Sequence, residues 1–594
     1  MTDVEVRREY SQRLAARTSW LEKESTRSRR MWLWRRIVFV SGAAMILAAL
    51  DGLFSFWWIA LPVFTFIVLM VVHERINEAR QTATRAVDFY QRGLARLSDA
   101  WTGTGETGER FADKNHAYSE DLDLFGRGSL FELISAARTR AGEERLAQWL
   151  LAPAKVDEIR DRQAAVAELR PQLDLREDLA LLGASVRVGV DGDSLIAWAS
   201  APPIHFSRFL RVTAAILGIA AAASIIGWLV FDTRAIALVA LVCEAVFLLF
   251  TRAGLSRVMS DIERPSRDLR LLGSILARLE REIFSSKKLL SLRAALDADG
   301  VPPSRQIARL YLLLDLLNST KSFLFAPFAF ILLLPAQLCF AIEQWRQVSG
   351  RAVIRWIEAI GDFEALASFA GYAAEHPTDP FPELSETERC YEGVGLAHPL
   401  IPRARAVPND MTLGDKPQVL IVSGSNMSGK STLLRTVGIN SVLAFAGAPV
   451  RASELRLSPL TIGASIHILD SLQEGSSRFY AEITRLRSVV EMSKGELPLL
   501  FLLDEIMSGT NSHDRQIGAA AVVNGLVRRG AIGLITTHDL ALTRIADELG
   551  TRATNVHFED HLENGRMVFD YHMRSGVVTK SNALELMRAV GLDV

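Results

Sequence analysis

The sequence predicts a mixed architecture, in which an α-helical region with two apolar helical hairpins precedes a C-terminal α/β domain. Three observations support this. The stretches 37–72 and 212–250 are apolar and carry only isolated charges. In the regions around them, apolar residues recur at the three-to-four spacing of one helix face. From about Gly393, short apolar runs alternate with helical patterns, which is typical of a parallel α/β domain.

Length and composition set the outer bounds. A chain of 594 residues is too long for one core, so several domains are expected. Lys and Arg number 67 against 68 Asp and Glu, so any nucleic-acid surface must be local. Three widely separated cysteines, Cys243, Cys339 and Cys390, form neither a metal-ligand spacing nor a disulfide framework. This pattern suits buried free thiols in a reducing compartment.

The two apolar stretches predict membrane hairpins. Within 37–72 the one charge, Asp51, stands beside Gly52, as expected for two spans joined by a tight turn. Residues 212–231 carry no charge over 20 positions, about one bilayer thickness as a helix, and 235–250 is apolar except for Glu244. The alternative is a pair of long hairpins buried in a protein core.

Arginines flank every predicted span, and the positive-inside rule then places all the flanks in the cytoplasm. We therefore expect a multi-pass protein of the inner (cytoplasmic) membrane whose lipid bilayer contacts are these hairpins and whose C-terminal domain is cytoplasmic. A fifth apolar run, 322–342, would reverse that side if it crossed, and Pro327 and Pro335 interrupt it. A buried core helix or a segment against the bilayer is expected there.

These patterns divide the chain into five segments: 1–75 with the first hairpin, 76–205 as helical core, 206–252 as second hairpin, 253–375 as further helical core, and 376–594 as the α/β domain.

A phosphate-binding loop follows the apolar run 419–422. Its pattern, G-x-x-x-x-G-K-[ST], lets backbone N–H groups surround phosphate oxygens, brings a lysine to the terminal phosphates and offers a hydroxyl to Mg²⁺. The following helix points its positive end at the same anion. ATP and Mg²⁺ are the expected ligands. The loop consists of Gly424, Ser425, Asn426, Met427, Ser428, Gly429, Lys430, Ser431 (the Mg²⁺ ligand) and Thr432.

Two further apolar runs end in polar residues. The run 499–503 ends in Asp504, expected in the Mg²⁺ shell, and Glu505, expected to orient and deprotonate the attacking water. The run 532–537 ends in His538, which at a strand end can contact the γ-phosphate; a surface or core histidine is the alternative.

A predicted helix begins near Ser477, with Ile483, Leu486 and Val490 continuing its apolar face. Ser477 is either an N-cap or the start of a helix offered to the nucleotide of a second subunit.

Together these motifs resemble the MutS family of the ABC-type ATPases over about 395–594, and more weakly at 162–169. The resemblance rests on the Asn-Met centre of the phosphate loop, on 477–482 as Ser-x-Phe-x-x-Glu, on Asp504-Glu505, and on Thr537-His538. Ser425 and Ser428 stand where the family usually has proline and glycine. The Phe-x-Glu element of the family's mismatch-reading domain has its one fit at 381–383, in a proline-rich linker.

The resemblance implies a homodimer in which two ATPase domains enclose two nucleotides. It gives Lys430, Glu505 and His538 catalytic roles, Asp504 and Ser431 the metal, and Ser477 the partner's nucleotide. It also implies helical levers, DNA as ligand, and a membrane-anchored variant that lacks the mismatch-reading domain.

Two other functions fit the residues: a half-transporter, and a membrane-tethered scaffold or sensor with no DNA role. A basic stripe is the best local candidate for DNA, with a solvated helix face or contact with anionic lipid as alternatives. It comprises Arg264, Arg267, Arg270, Arg278, Arg281, Lys287, Lys288 and Arg293.

Overall fold

The structure is a computed structural model that describes residues 2–53, 55–187, 192–262, 265–297, 300–322, 325–425, 427–466, 478–563 and 566–578. The chain divides into two compact units. The first comprises Met1–Ser135, Ala147–Pro171 and Ser368–Val594, and the second comprises Ala136–Leu146 and Gln172–Ala367. A helical region followed by an α/β domain is what the sequence predicts, and this coarse order is confirmed.

The first hairpin pairs two long antiparallel helices, α1 (Asp3–Leu50) and α2 (Ala60–Leu97). Thr2 caps α1 through a reciprocal capping box with Glu5. The helices contact one another along most of their length: Phe39 and Phe66 stand 6.1 Å apart, and Tyr10 and Tyr90 stand 5.7 Å apart. The hairpin thus extends well beyond the apolar stretch, because α2 continues for 25 residues past Val72 to Leu97.

Helices account for the region between the first hairpin and the α/β domain. After α2 they are α3 (Leu130–Ile134), α4 (Arg140–Leu151), α5 (Val156–Leu169), α6 (Leu173–Arg187), α7 (Gly192–Ser200), α8 (Arg208–Phe231), α9 (Arg234–Ile262), α10 (Pro265–Leu279), α11 (Lys287–Leu296), α12 (Pro303–Ser319), α13 (Ala326–Ile331) and α14 (Leu334–Glu375).

In the second hairpin, α8 and α9, the small side chains of Ala214 and Ala221 are fully buried. Glu244 of α9 is also fully buried, and its carboxylate oxygens accept no hydrogen bond from the described residues. The preceding residue, Cys243, is exposed, whereas Cys339 and Cys390 are buried.

By length and composition, four helices in the described parts of the chain could cross a membrane: they lie within Asp3–Leu50, Trp57–Leu97, Arg208–Phe231 and Arg234–Asp261. Their large apolar side chains point outward; Phe64 is 67% exposed, Leu229 79% and Phe250 86%. The membrane itself stays a prediction.

The fifth apolar run, 322–342, is broken rather than continuous. Its short helix α13 ends at Ile331, Leu333 has a left-handed φ of 49°, and α14 begins at the next residue. This segment lies against α8, because the carbonyl oxygen of Leu332 is 2.9 Å from where a Cβ on Gly218 would stand.

Buried ion pairs hold the first unit together where α14 ends. Arg96 of α2 donates two 2.6 Å hydrogen bonds to Glu375, whose side chain is fully buried. A few residues on, Asp379 accepts two 2.7 Å hydrogen bonds from Arg403. The base of the first hairpin, the end of α14 and the start of the α/β domain are therefore joined by charges.

The α/β domain contains two sheets. The larger has the order β10-β9-β4-β8-β7-β6, parallel except for β10, and the smaller has the order β1-β5-β2-β3, with β2 antiparallel to both neighbours. The strands are β1 (Glu383–Leu384), β2 (Tyr391–Leu396), β3 (Asn409–Leu413), β4 (Val419–Ser423), β5 (Glu454–Leu457), β6 (Thr461–Ser465), β7 (Leu499–Leu503), β8 (Ile532–Thr537), β9 (Ala553–Glu563) and β10 (Arg566–Ser575). The helices between them are α15 (Lys430–Ala446), α16 (Arg478–Met492), α17 (Ser512–Arg528) and α18 (Ile545–Leu549).

Glu364 gives the second unit a pH-dependent stability. Its carboxylate accepts hydrogen bonds from the backbone N–H groups of Arg138 and Thr139, just before α4, yet burial raises its pKa to about 7. Because the folded chain holds a proton that the unfolded chain releases, this residue's contribution declines as pH rises from about 4.5 to about 7.

As the pH rises through that window, the stability of Glu364→Gln relative to the native chain should therefore increase by up to about 3 kcal/mol. Its unfolding midpoint should rise accordingly relative to that of the native chain. Thermal unfolding of the detergent-solubilised chain at several pH values measures this. Glu358→Gln, an exposed change on α14, is the control. A midpoint difference that does not vary with pH would contradict the assignment.

Candidate nucleotide-binding site

The site lies where three parallel strands end together. β4 pairs with β8, with Ser423 opposite Thr537, and β8 pairs with β7, with Ile535 opposite Leu503. All residues of the three strands are buried, so the polar residues that follow them are the first to reach solvent. The phosphate loop, the carboxylate pair and His538 therefore converge at one edge of the sheet.

The phosphate loop has the backbone that its sequence requires. Gly424 has φ 151° and Gly429 φ 107°, and a Cβ on Gly424 would stand 2.8 Å from the Ser428 hydroxyl. The other left-handed position falls on Met427, at φ 69°. Ser428 does not share this conformation, so serine is accommodated where the family usually has glycine.

Lys430 is held inside the loop. Its Nζ donates to the carbonyl oxygens of Gly424 at 2.9 Å and Ser425 at 2.8 Å, and the residue is 5% exposed. Burial lowers the pKa of Lys430, and the nearby Glu505 and Asp504 oppose that shift. An ammonium group in this position, with hydrogen bonds only to carbonyls, is poised to bind an anion.

The loop fits a phosphate group. The hydroxyl oxygens of Ser425 and Ser428 are buried and have no hydrogen-bond partner among the described residues. Buried polar groups of this kind are nearly always satisfied, so two of them beside a buried ammonium indicate a polar ligand.

The carboxylates are positioned by a threonine that sequence reasoning missed. The Thr536 hydroxyl donates to Oδ1 of Asp504 and accepts a 2.9 Å hydrogen bond from the backbone N–H of Glu505. Glu505 has a left-handed φ of 45°, and its Oε1 lies 3.5 Å from Nδ1 of His538. The signal in the sequence that could have indicated this role is the hydroxyl of Thr536 at the buried end of β8.

The residues also fit Mg²⁺. Ser431 and Asp504 line the same cavity. Within the described residues, no group of three or more His, Cys, Asp or Glu could hold a metal ion. A hydroxyl, one carboxylate and phosphate oxygens are nevertheless a usual Mg²⁺ environment.

The cavity has a volume of about 730 Å³, and its lining also includes the apolar side chains of Ile401, Val407, Phe558 and Tyr571. His398 lies there too; burial lowers its pKa to about 4, with Arg435 and Arg451 acting in the same direction, so it is neutral near pH 7. A phosphate site joined to a partly apolar pocket of this size suits a nucleotide.

Two predicted site residues, Asn426 and Ser477, lie outside the described residues. The rest of the Ser-x-Phe-x-x-Glu motif supports the loop after β7: Phe479 packs on Gly509, and the buried Glu482 accepts a 3.3 Å hydrogen bond from the N–H of Ser508. Arg515, also missed, donates to the carbonyl oxygens of 507, 508 and 510.

Three of the eight side chains in the basic stripe form ion pairs. Arg278 bonds to Asp178 at 2.6 Å, Lys288 lies 3.2 Å from Asp362, and Arg293 lies 2.9 Å from Asp297. Arg264 is outside the described residues. These pairs favour the solvated helix face among the predicted alternatives.

The fold and the site define a nucleotide-binding α/β domain with a phosphate loop. Residues 420–593 match the sequence model of MutS domain V. The chain is 36% identical over 253 residues to "DNA mismatch repair protein MutS 2" of Halobacterium salinarum, covering 41% of this chain and 28% of that protein. It is 31% identical over 255 residues to "Endonuclease MutS2" of Thermus thermophilus, covering 42% and 32%, and 33% identical over 240 residues to "DNA mismatch repair protein MutS" of Shouchella clausii, covering 39% and 27%.

These matches support the resemblance to the MutS family that the motifs predict. They span about a third or less of the length of the curated relatives.

Thr536 is expected to control magnesium use rather than nucleotide binding as such. Thr536→Val keeps the side-chain shape but leaves Asp504 without its hydrogen bond, so Mg²⁺-dependent affinity for an ATP analogue should fall about tenfold. Affinity measured in EDTA should change little, and Thr536→Ser should retain both values. Fluorescence titration measures them; equal losses with and without Mg²⁺ would contradict this role.

Proposed function

We propose that this chain is a membrane-anchored MutS-like ATPase that works as a homodimer, in an ATP-dependent manner, on DNA. The observation that carries the proposal is the convergence of Lys430, Ser431, Asp504 and Glu505 on one cavity. The names of these relatives refer to DNA mismatch repair and to an endonuclease. The four long apolar helices support the anchorage, with the ATPase domain in the cytoplasm.

In this proposal each residue of the site has a distinct task. The loop N–H groups and Lys430 bind the phosphates, while Ser431 and Asp504 would hold Mg²⁺, which would supply positive charge at the phosphate oxygens. Glu505 orients the attacking water and accepts its proton, because a carboxylate fixed through its own backbone N–H is aimed in one direction. His538, close to Glu505, contacts the γ-phosphate. Ser477 reaches the partner's nucleotide.

Dimerisation follows from the same site. The candidate cavity lies at the strand ends, and a second ATPase domain placed over it would exclude water from the phosphates. Opening and closing of that pair would then move the helices attached to each domain. The supporting observation within the first unit is the two ion pairs at this point, Arg403 with Asp379 and Arg96 with Glu375.

Glu505→Ala should keep ATP binding and reduce steady-state hydrolysis by about 10²- to 10⁴-fold, because a general base contributes that much. Glu548→Ala, an exposed change on α18, is the matched control. Phosphate release and nucleotide binding should be measured on the same preparation. Hydrolysis at the native rate would refute the role of Glu505.

DNA should stimulate hydrolysis by the detergent-purified chain. Homoduplex, mismatched and branched DNA should each be compared with no DNA, and the stimulation should fall steeply with salt if phosphates are contacted. Stimulation confined to proteoliposomes, with none from DNA, would instead support a membrane-tethered scaffold, sensor or transporter.

A further inference from the structure

A second cavity, of about 480 Å³, lies in the second unit between α12 and the first half of α14. It is lined by Arg305 and Arg309 and by the apolar residues Val301, Leu313 and Ala341. None of these residues belongs to the nucleotide site. We propose that this cavity binds the phosphate headgroup of an anionic phospholipid, and the proposal rests on the membrane placement proposed above.

The two arginines form the anion-binding side. They stand four residues apart on α12, so both guanidinium groups lie on one helix face. Both are exposed, and among the described residues neither has a carboxylate within ion-pair distance. This differs from the basic stripe, where Arg278, Lys288 and Arg293 are already paired. A planar guanidinium fork binds phosphate in two-point geometry.

The wall behind the arginines is fixed rather than adaptable. Trp345, 7% exposed, donates from Nε1 to the carbonyl oxygen of Gln306 at 2.9 Å. The Ser349 hydroxyl donates to Oε1 of Gln306, also at 2.9 Å. These contacts join the first turns of α12 to α14 and keep the cavity open between them.

The cavity lies beside the open end of the second hairpin, where α8 begins and α9 ends. Gln344, which lines the cavity, accepts a 2.7 Å hydrogen bond from Arg211 in the first turn of α8. Phe206, just before α8, packs 4.6 Å from Phe340 of α14 and also contacts Gly254 of α9. If α8 and α9 cross the bilayer, this level is the headgroup region.

Exposed apolar side chains continue from the Leu313 end of the cavity. On either side of Leu313, α12 exposes Leu312 (56%) and Leu316 (41%), and in α13, which follows, Phe328 is 64% exposed. That segment packs on α8 at Gly218, ten residues beyond Arg208 and thus about 15 Å along the helix. Acyl chains following this path would cover the apolar surface, which a free phosphate or a DNA backbone would leave exposed.

Native mass spectrometry of the detergent-solubilised full chain tests the site, with phosphatidylglycerol and phosphatidylcholine of identical acyl chains as probes. The native chain should retain phosphatidylglycerol selectively. Arg305→Gln with Arg309→Gln should weaken that retention about thirtyfold, because each arginine at an anionic surface contributes a factor of about five. Arg351→Gln with Arg355→Gln, another exposed pair four residues apart, on α14, should leave it unchanged.

Val348→Glu provides a second variant that should fold as the native chain does, because Val348 lines the cavity yet is 74% exposed. Its carboxylate should repel the headgroup and reduce retention without removing either arginine. The unfolding midpoint of each variant separates loss of binding from loss of fold.

Four outcomes would overturn the inference. If alkaline carbonate fails to extract the chain from membranes but the chain retains both lipids equally, the lipid site is contradicted while the membrane placement stands. Displacement of the lipid by glycerol phosphate at equal concentration shows that the acyl chains contribute nothing. Binding of duplex DNA that depends on the same two arginines makes the cavity a nucleic-acid contact. Extraction of the native chain by carbonate contradicts the membrane placement, and the lipid site with it.

Discussion

The parallel pairing of β4, β8 and β7 is the constraint on which the nucleotide site depends. Because the three strands are buried along their whole length, their side chains form core, and chemistry is confined to the residues that follow them. Register then decides which of those residues meet. Thr536 bonds to Asp504 and to the backbone of Glu505 because β8 extends alongside the end of β7. A shift of one residue would turn that hydroxyl to the opposite face.

The sequence predicts this part of the molecule well because its signals are local. A strand, a loop with two glycines and a lysine, and a helix are read in one pass, and Gly424 and Gly429 have the backbone that the pattern demands. Thr536 and the supporting role of Glu482 were missed, since each acts on a residue distant in sequence, and Arg515 was missed because its partners are backbone carbonyl groups. The antiparallel β2 was missed for the same reason, because strand direction depends on pairing. The five-segment division and the roles of Asn426 and Ser477 stay predictions.

Charged residues are used in two ways in this structure. In the first, Arg96, Glu375, Asp379 and Arg403 are buried or half-buried in pairs, an arrangement that fixes relative position more than it adds stability. Such pairs tie the end of α14 to the base of the first hairpin and to the chain that enters the α/β domain. In the second, exposed guanidinium groups at Arg305 and Arg309 have no such partner among the described residues, and this contrast makes them recognisable as a place for an external anion.

Of the three cysteines, Cys243 is the one with an exposed side chain, on the outward face of α9, while Cys339 and Cys390 are enclosed. The natural chain therefore carries a single attachment point for a paramagnetic or fluorescent label, midway along its second hairpin. Pulsed electron resonance between labels on two copies would report their separation there during a nucleotide cycle, with no cysteine added or removed.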